Sequence, residues 1–320
     1  MSSPKIAVLI EHRGGQIAQP SLEALTLARS LGTPVAVWLG SEVLADAANE
    51  LGLYGATEVR VASIGDDARH PTKAAAAVEA ASRDAAVLLV VSTFVNKEIA
   101  TRLALSTGAG VVVDAAGAEF VDGRIEAFKT VFAATWNVRC RINTGKAIVG
   151  VRPNTTLAVA LDQEAVAPLV VDVDVTVPET REALTHVEPI EAGEGVPLAE
   201  ASVVVSGGRG TGGDYTLVRE FAELLGGAVG ASRDATDEGW ISHEHMVGQT
   251  GTTVTPALYV ACGISGAIHH RGGMQASGTV VAVNLDPDAP IFEICDFGVV
   301  GSLFDVLPQA IEKIKEHRGA

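Results

Sequence analysis

Apolar residues arrive along the first third of the chain in short solid runs, Ile6–Ile10, Val35–Leu39, Val59–Val61 and Val87–Val91. Solid runs of this length suit strands buried on both faces, and the alanine-rich segments between them, Ser21–Leu31, Val43–Leu51, Pro71–Arg83 and Lys97–Thr107, suit covering helices. The alternation predicts a parallel, doubly wound sheet, with Val111–Val113 as a further short strand. From about Ala115 to Val177 the helical periods fade. Strand-like runs (Ile125–Ala133, Lys146–Val151, Val170–Val177) follow one another there, which predicts an antiparallel extension of the first sheet. Glu188–Pro197, rich in proline, glycine and glutamate and without an apolar period, predicts an interdomain linker.

Beyond it the alternation restarts. Val203–Val205 leads into a helix over Tyr215–Leu225, with an apolar stripe of Phe221, Leu224 and Leu225 and Asp214 as its N-cap. Strand-like runs follow at Ala228–Val229, Leu258–Ala261, Val280–Asn284 and Ile291–Ile294, and a last helix at Leu303–His317. The expected architecture is α/β with two domains, 1–190 carrying the antiparallel extension and 191–320 following it, each on a mainly parallel, doubly wound, Rossmann-like sheet.

A chain of 320 residues exceeds the usual span of one core, which supports that division. No apolar run approaches the roughly 20 residues a spanning helix needs. The N-terminal MSSPKIAVLIEH has no secretory pattern, so the expected location is cytoplasmic, without direct membrane insertion. A formal charge of −16 argues against a nucleic-acid surface, which needs clustered Lys and Arg. Cys140, Cys262 and Cys295 are widely spaced and read as reduced thiols. His243 and His245 flank Glu244 but lack a third ligand at zinc spacing, so no metal is expected.

Candidate chemistry lies in the glycine turns. In Ser206–Gly213, the residues Gly208, Gly210 and Gly213 match the dinucleotide spacing, which leaves a nicotinamide-dependent dehydrogenase open. Against it, Ser232 and Arg233 stand at the end of the next strand, where that fold needs an acid. Arg209, amid glycines and with no evident local partner, suits a phosphate or flavin edge. The loop Gly263–His270 is small enough for backbone amides to touch a ligand, and His270 closes it. Its Gly263-Ile264-Ser265-Gly266 lacks the final glycine of a nucleophile elbow, Ala267 standing there, and no catalytic residue is assigned. A third reading is a non-redox nucleotide-binding protein built on the first domain, which shows no phosphate loop.

The runs VGQTG, GISGAIHH, GGM, VAVNLDPDAPIFEICDFG and VGSLFDVLP, with SGGRG and GASR upstream and AVLIEH near the N-terminus, resemble the electron transfer flavoprotein alpha subunit family over nearly the whole chain. The resemblance implies an electron carrier rather than an enzyme, possessing FAD in its C-terminal domain and paired with an electron transfer flavoprotein beta subunit. Its donors would be flavin dehydrogenases such as those acting on acyl-CoA, and its acceptor a quinone oxidoreductase. It also implies that Arg209 with Gly210, and Ser232 with Arg233, contact FAD, Arg233 lying against the flavin ring. Val247, Gly248, Gln249 and Thr250 would form a turn with Thr250 near flavin N5. Gly263, Ser265, Gly266, Ala267, Ile268, His269 and His270 would wrap the pyrophosphate and ribityl region, His270 near flavin O2. A cationic or hydrogen-bonding group there, His270 or Arg233, favours negative charge on the reduced flavin. Asn284 and Asp286, with Ser302 and Leu303, would meet the adenosine end. The chain departs from the family pattern at Ser302, which replaces a carboxylate, at His269 in place of glutamine, at Thr252 in place of lysine, and at Arg271-Gly272 in place of a leucine-alanine pair.

Overall fold

A computed structural model describes residues 3–64, 70–132, 135–162, 167–180, 182–183, 185–186 and 196–319. Residues 188–195 of the expected linker therefore lie outside the described residues. The chain forms two compact units, Met1–Lys129 with Asn137–Pro189, and Ile190–Ala320 with Thr130–Trp136.

The first unit runs β1 (Lys5–Ile10), the short pair β2 (His12–Arg13) and β3 (Gln16–Ile17), α1 (Gln19–Leu31), β4 (Thr33–Leu39), α2 (Ala45–Leu53), β5 (Glu58–Ala62), α3 (Pro71–Ala81), β6 (Val87–Val91) and α4 (Phe94–Thr107). It continues with β7 (Gly110–Ala115), β8 (Gly117–Val121), β9 (Arg124–Val131), β10 (Trp136–Arg141), β11 (Ala147–Val151) and β12 (Leu169–Val173). Seven strands make one sheet in the order β12-β5-β4-β1-β6-β11-β7, with parallel pairing throughout. Successive side chains of a strand point to opposite faces. Accordingly Ile6, Val8 and Ile10 pack with Leu25 and Leu51 on one side, and Ala7 and Leu9 with Val78, Ile99 and Leu103 on the other.

The expected antiparallel extension of this sheet does not form. β11 and β12 enter it as parallel strands, while β8, β9 and β10 make a separate three-stranded sheet in which β8 and β9 run antiparallel. Residue pattern explains the split. All five residues of β11 are buried, as an interior strand requires, whereas β9 alternates buried Ile125 and Ala127 with more exposed Arg124 and Glu126.

The second unit contains β13 (Val203–Gly207), α5 (Thr216–Leu225), β14 (Ala228–Ala231), α6 (Arg233–Asp237), β15 (Leu258–Cys262), α7 (Ile268–Met274), β16 (Thr279–Asn284), β17 (Phe297–Val300) and α8 (Leu303–Gly319). Its five strands are all parallel, in the order β14-β13-β15-β16-β17. Val205, Val260, Cys262 and Val283 face Phe221 of α5 and Leu307 of α8, and Val204, Tyr259, Ala261 and Ala282 face Met274 of α7 and Ile291.

Two local expectations shift. Asp214 does accept the Thr216 amide at 2.9 Å, but Tyr215 occupies the cap position of α5. Ile291–Ile294 is not a strand: Pro290–Glu293 forms a 3-10 turn, which proline readily opens, and the Ile291 amide donates to the Ser265 carbonyl at 2.9 Å. The last strand, β17, comes just after it.

Counted in chain order, the second sheet reads 2-1-3-4-5, so the winding reverses between β13 and β15. Open α/β sheets hold their ligands at the carboxyl ends of the strands beside such a reversal.

Candidate functional site

At the reversal the loops after β13 and β15 are pressed together. The Gly208 amide donates to the Cys262 carbonyl at 2.9 Å and the Gly210 amide to the Gly263 carbonyl at 3.0 Å. Gly263 has φ +62°, a left-handed conformation. A Cβ on it would stand 2.6 Å from Gly210 Cα, and one on Gly210 would stand 2.6 Å from Gly263 Cα. Neither position has room for a side chain. The contact also removes the basis of the nicotinamide reading. The Gly208 and Gly210 amides are engaged with protein, and a 3-10 turn at Arg209–Thr211 intervenes before α5 begins at Thr216.

The two arginines are not short of local partners, as the sequence had implied for Arg209. Arg209 Nε lies 3.1 Å from Asp234 Oδ2 and Arg233 Nε lies 3.2 Å from Asp237 Oδ2, both carboxylates belonging to α6. That helix starts at the carboxyl end of β14, where the Ser232 hydroxyl accepts the Ala235 amide as an N-cap. The Ser232 amide donates to the Gly207 carbonyl at 2.9 Å, which sets the β14 end against the β13 end. Both guanidinium groups remain mostly solvent-facing, Arg209 at 70% and Arg233 at 63% side-chain exposure.

The Val247–Thr250 turn is joined to β14 by the Val247 amide, 2.9 Å from the Ala231 carbonyl. Val247 and Gly248 are buried, whereas Gln249 and Thr250 are exposed. α7 lies directly on this turn, since a Cβ at Gly273 would fall 2.4 Å from Gly248 Cα. The Gln249 amide donates to the His269 carbonyl at 3.0 Å, and the His269 ring Nδ1 meets Gln249 Oε1 at 3.1 Å.

The expected loop Gly263–His270 is loop only as far as Ala267. α7 starts at Ile268, so His269 and His270 sit on its first turn. Ser265, Ala267, Ile268 and His269 are exposed, while Gly266, at φ +84°, turns the chain where a Cβ would strike the Ile291 amide at 2.5 Å. His270 points inward. Its ring is buried, Nε2 lies 2.9 Å from the Tyr259 hydroxyl, and Nδ1 completes no hydrogen bond. Burial pushes its pKa down to about 4, against the opposing influence of the Val247 backbone and the charge of Asp234. At neutral pH this favours a neutral His270, the hydrogen-bonding rather than the cationic of the two expected forms. Burial likewise pushes the Cys262 thiol up to about 12, leaving it unreactive.

At the far end of the edge, Asn284 Nδ2 donates to the Ile264 carbonyl at 2.8 Å and Oδ1 accepts the Asp286 amide at 3.0 Å. Asp286 in turn accepts the Asp288 amide at 3.0 Å, and Ser302 Oγ accepts the Phe304 amide at 3.2 Å. The Leu303 side chain lies in the core, so only its backbone is available on this edge. Sequence reasoning missed Asp234, Asp237 and Tyr259. The Arg233/Asp237 spacing of four within a helix was a readable signal; the Arg209–Asp234 and Tyr259–His270 meetings were not, because they join separate elements.

The residues that the resemblance assigns to FAD thus lie at or just beyond the carboxyl ends of this one sheet's strands or on the turn bridged to β14. Closely packed glycine turns and two largely exposed arginines at this edge suit a ligand with an anionic pyrophosphate. Among the described residues no His, Cys, Asp and Glu group could hold a metal, and no helix is long and apolar enough to cross a membrane.

The fold is that of an α/β protein with two parallel, doubly wound sheets, of the kind that binds nucleotide ligands at the strand ends. Residues 197–275 match the electron transfer flavoprotein FAD-binding domain and residues 6–178 match the electron transfer flavoprotein domain, so the cofactor is FAD. The chain is 41% identical over 321 residues to the electron transfer flavoprotein subunit alpha of Mycobacterium leprae, covering 98% of each. It is 35% identical to Protein FixB of Clostridium saccharobutylicum, covering 97% of this chain and 96% of that one. With the alpha subunit of Bacillus subtilis the identity is 33%, over 98% of both. The chain belongs to the electron transfer flavoprotein alpha subunit family.

Proposed function

We propose that this chain is the FAD-bearing alpha subunit of a heterodimeric electron transfer flavoprotein. It takes electrons from flavin dehydrogenases, acyl-CoA dehydrogenases among them, and passes them to a quinone oxidoreductase or similar acceptor in the cytoplasm. Bound FAD supplies the group that takes up and releases electrons. The protein's own residues bind and orient it. Residues 191–320 hold the cofactor and 1–190 form the other domain. Arg209, Gly210, Ser232 and Arg233 meet FAD from the first two strand ends, Gln249 and Thr250 from the bridged turn. The stretch from Gly263 to His270 lines the crevice, and Asn284, Asp286, Ser302 and the Leu303 backbone border the far end.

The observation that carries this reading is the meeting of the loops after β13 and β15 at the sheet's reversal, within the segment matching the FAD-binding domain. A second subunit follows from the same layout. Loops along one edge leave part of a flavin uncovered, and with aromatics at only 4% of the chain, ring sandwiching by this subunit has few candidates. A beta subunit completes the cover. The test is an absorption spectrum of the chain co-produced with its beta subunit, followed by stepwise reduction. A flavin spectrum that bleaches reversibly is expected; a colourless, folded heterodimer would sink the proposal.

A further inference from the structure

Arg209 and Arg233 each meet a carboxylate of the same five-residue helix. Two positive and two negative charges therefore share the edge, which leaves the arginine pair largely compensated. The two ion pairs differ in kind. Arg233–Asp237 spans four residues of one helix and arises wherever that helix forms. Arg209–Asp234 ties the loop after β13 to the first turn of α6, two elements that nothing in the local chain obliges to pair. Asp234 also lies close enough to the buried His270 for its negative charge to act there.

Compensation of this sort has a direction. Reduction adds negative charge to the cofactor, so an uncompensated guanidinium favours the reduced form and a neighbouring carboxylate disfavours it. We propose that Asp234 is a positioning residue of the FAD site, drawing the Arg209 guanidinium onto α6 and so weakening its pull on the cofactor's negative charge, so that the site binds reduced FAD less strongly relative to oxidised FAD. The inference rests on the placement of Arg209 in the FAD site given above.

The experiment measures the first-electron midpoint potential of the FAD-loaded complex by dye equilibration, together with the Kd for oxidised FAD. The variants are Asp234→Asn, Asp234→Glu, Arg209→Gln and the double variant Arg209→Gln/Asp234→Asn. Removing one charge in partly solvated surroundings is expected to raise the preference for reduced over oxidised FAD about five-fold. At about 59 mV per tenfold, that is an upward shift of about 40 mV. Asp234→Glu should restore the wild-type potential, and Arg209→Gln should lower it. In the Arg209→Gln background the Asp234→Asn shift should fall to less than half, because its route through Arg209 is gone. If Arg209→Gln moves the potential and Asp234→Asn does not, the inference is overturned. An equal Asp234→Asn shift in both backgrounds, or an Asp234→Glu that behaves like Asp234→Asn, overturns it too. If Arg209→Gln changes neither potential nor affinity, the placement of Arg209 itself fails, which is a separate result.

Discussion

At the residue scale the site is decided by which groups are held in place and which are charged. Gly263 and Gly210 are glycine for a steric reason, since each occupies the space of the other's Cβ. Gly263→Ala adds a strained left-handed residue to that clash and is expected to destabilise the second unit by about 2–3 kcal/mol. The denaturant midpoint checks this, and an unmoved midpoint would mean the two loops do not depend on the contact. His270 carries a pH signature. Its folded pKa of about 4 lies below the ordinary value of 6.5, so between those values the unfolded chain binds more protons. Stability is then complete above about pH 6.5 and falls as pH drops towards 4, by at most about 3.5 kcal/mol. His270→Gln, which keeps a hydrogen-bonding side chain but cannot titrate, should flatten that part of the melting-temperature profile. Equal slopes in the two proteins would assign the acid sensitivity elsewhere.

At the scale of elements, short helices and turns do the positioning. α6 is five residues long, too short to persist without its cap and its connection to β13. Ser232→Ala removes the hydroxyl that accepts the Ala235 amide and is expected to cost about 1 kcal/mol, felt mainly within α6. Faster amide exchange across 233–237, together with weaker FAD binding, is the expected result. Unchanged exchange there would show that the cap is dispensable. Elements also explain where sequence reading stopped. Solid runs such as Val87–Val91 were legible as interior strands because all five residues are apolar. β17 was not, because its short Phe-Gly-Val-Val run holds a glycine and the Ile291–Ile294 run just before it, with two isoleucines and a phenylalanine, competes for the assignment. The turn took that run instead, since Pro290 opens a helical turn and the Ile291 amide reaches Ser265.

At the scale of the molecule, the candidate ligand loops belong to the second sheet and its reversal point. Saturating FAD at about 100 times Kd stabilises the state that binds it by about 2.7 kcal/mol. Hydrogen exchange should therefore slow at 207–213, 232–237, 247–251 and 263–270, while 87–96 at the carboxyl end of β6 gains no direct protection. Equal protection at 87–96 would place part of the cofactor contact on the first sheet.

By itself the sequence determined the alternation of strands and helices, the parallel character of both main sheets and the glycine turns that carry the family pattern. These are local properties, fixed by apolar periodicity and by the backbone freedom of glycine. Tertiary structure alone decided that β11 enters the first sheet as a parallel strand between β6 and β7 and not as an antiparallel extension, that Arg209 meets Asp234, and that His270 turns inward to Tyr259 and stays neutral. Each of those depends on which distant segments become neighbours, and a partner's charge or the exclusion of water is a property of that neighbourhood, not of the residue.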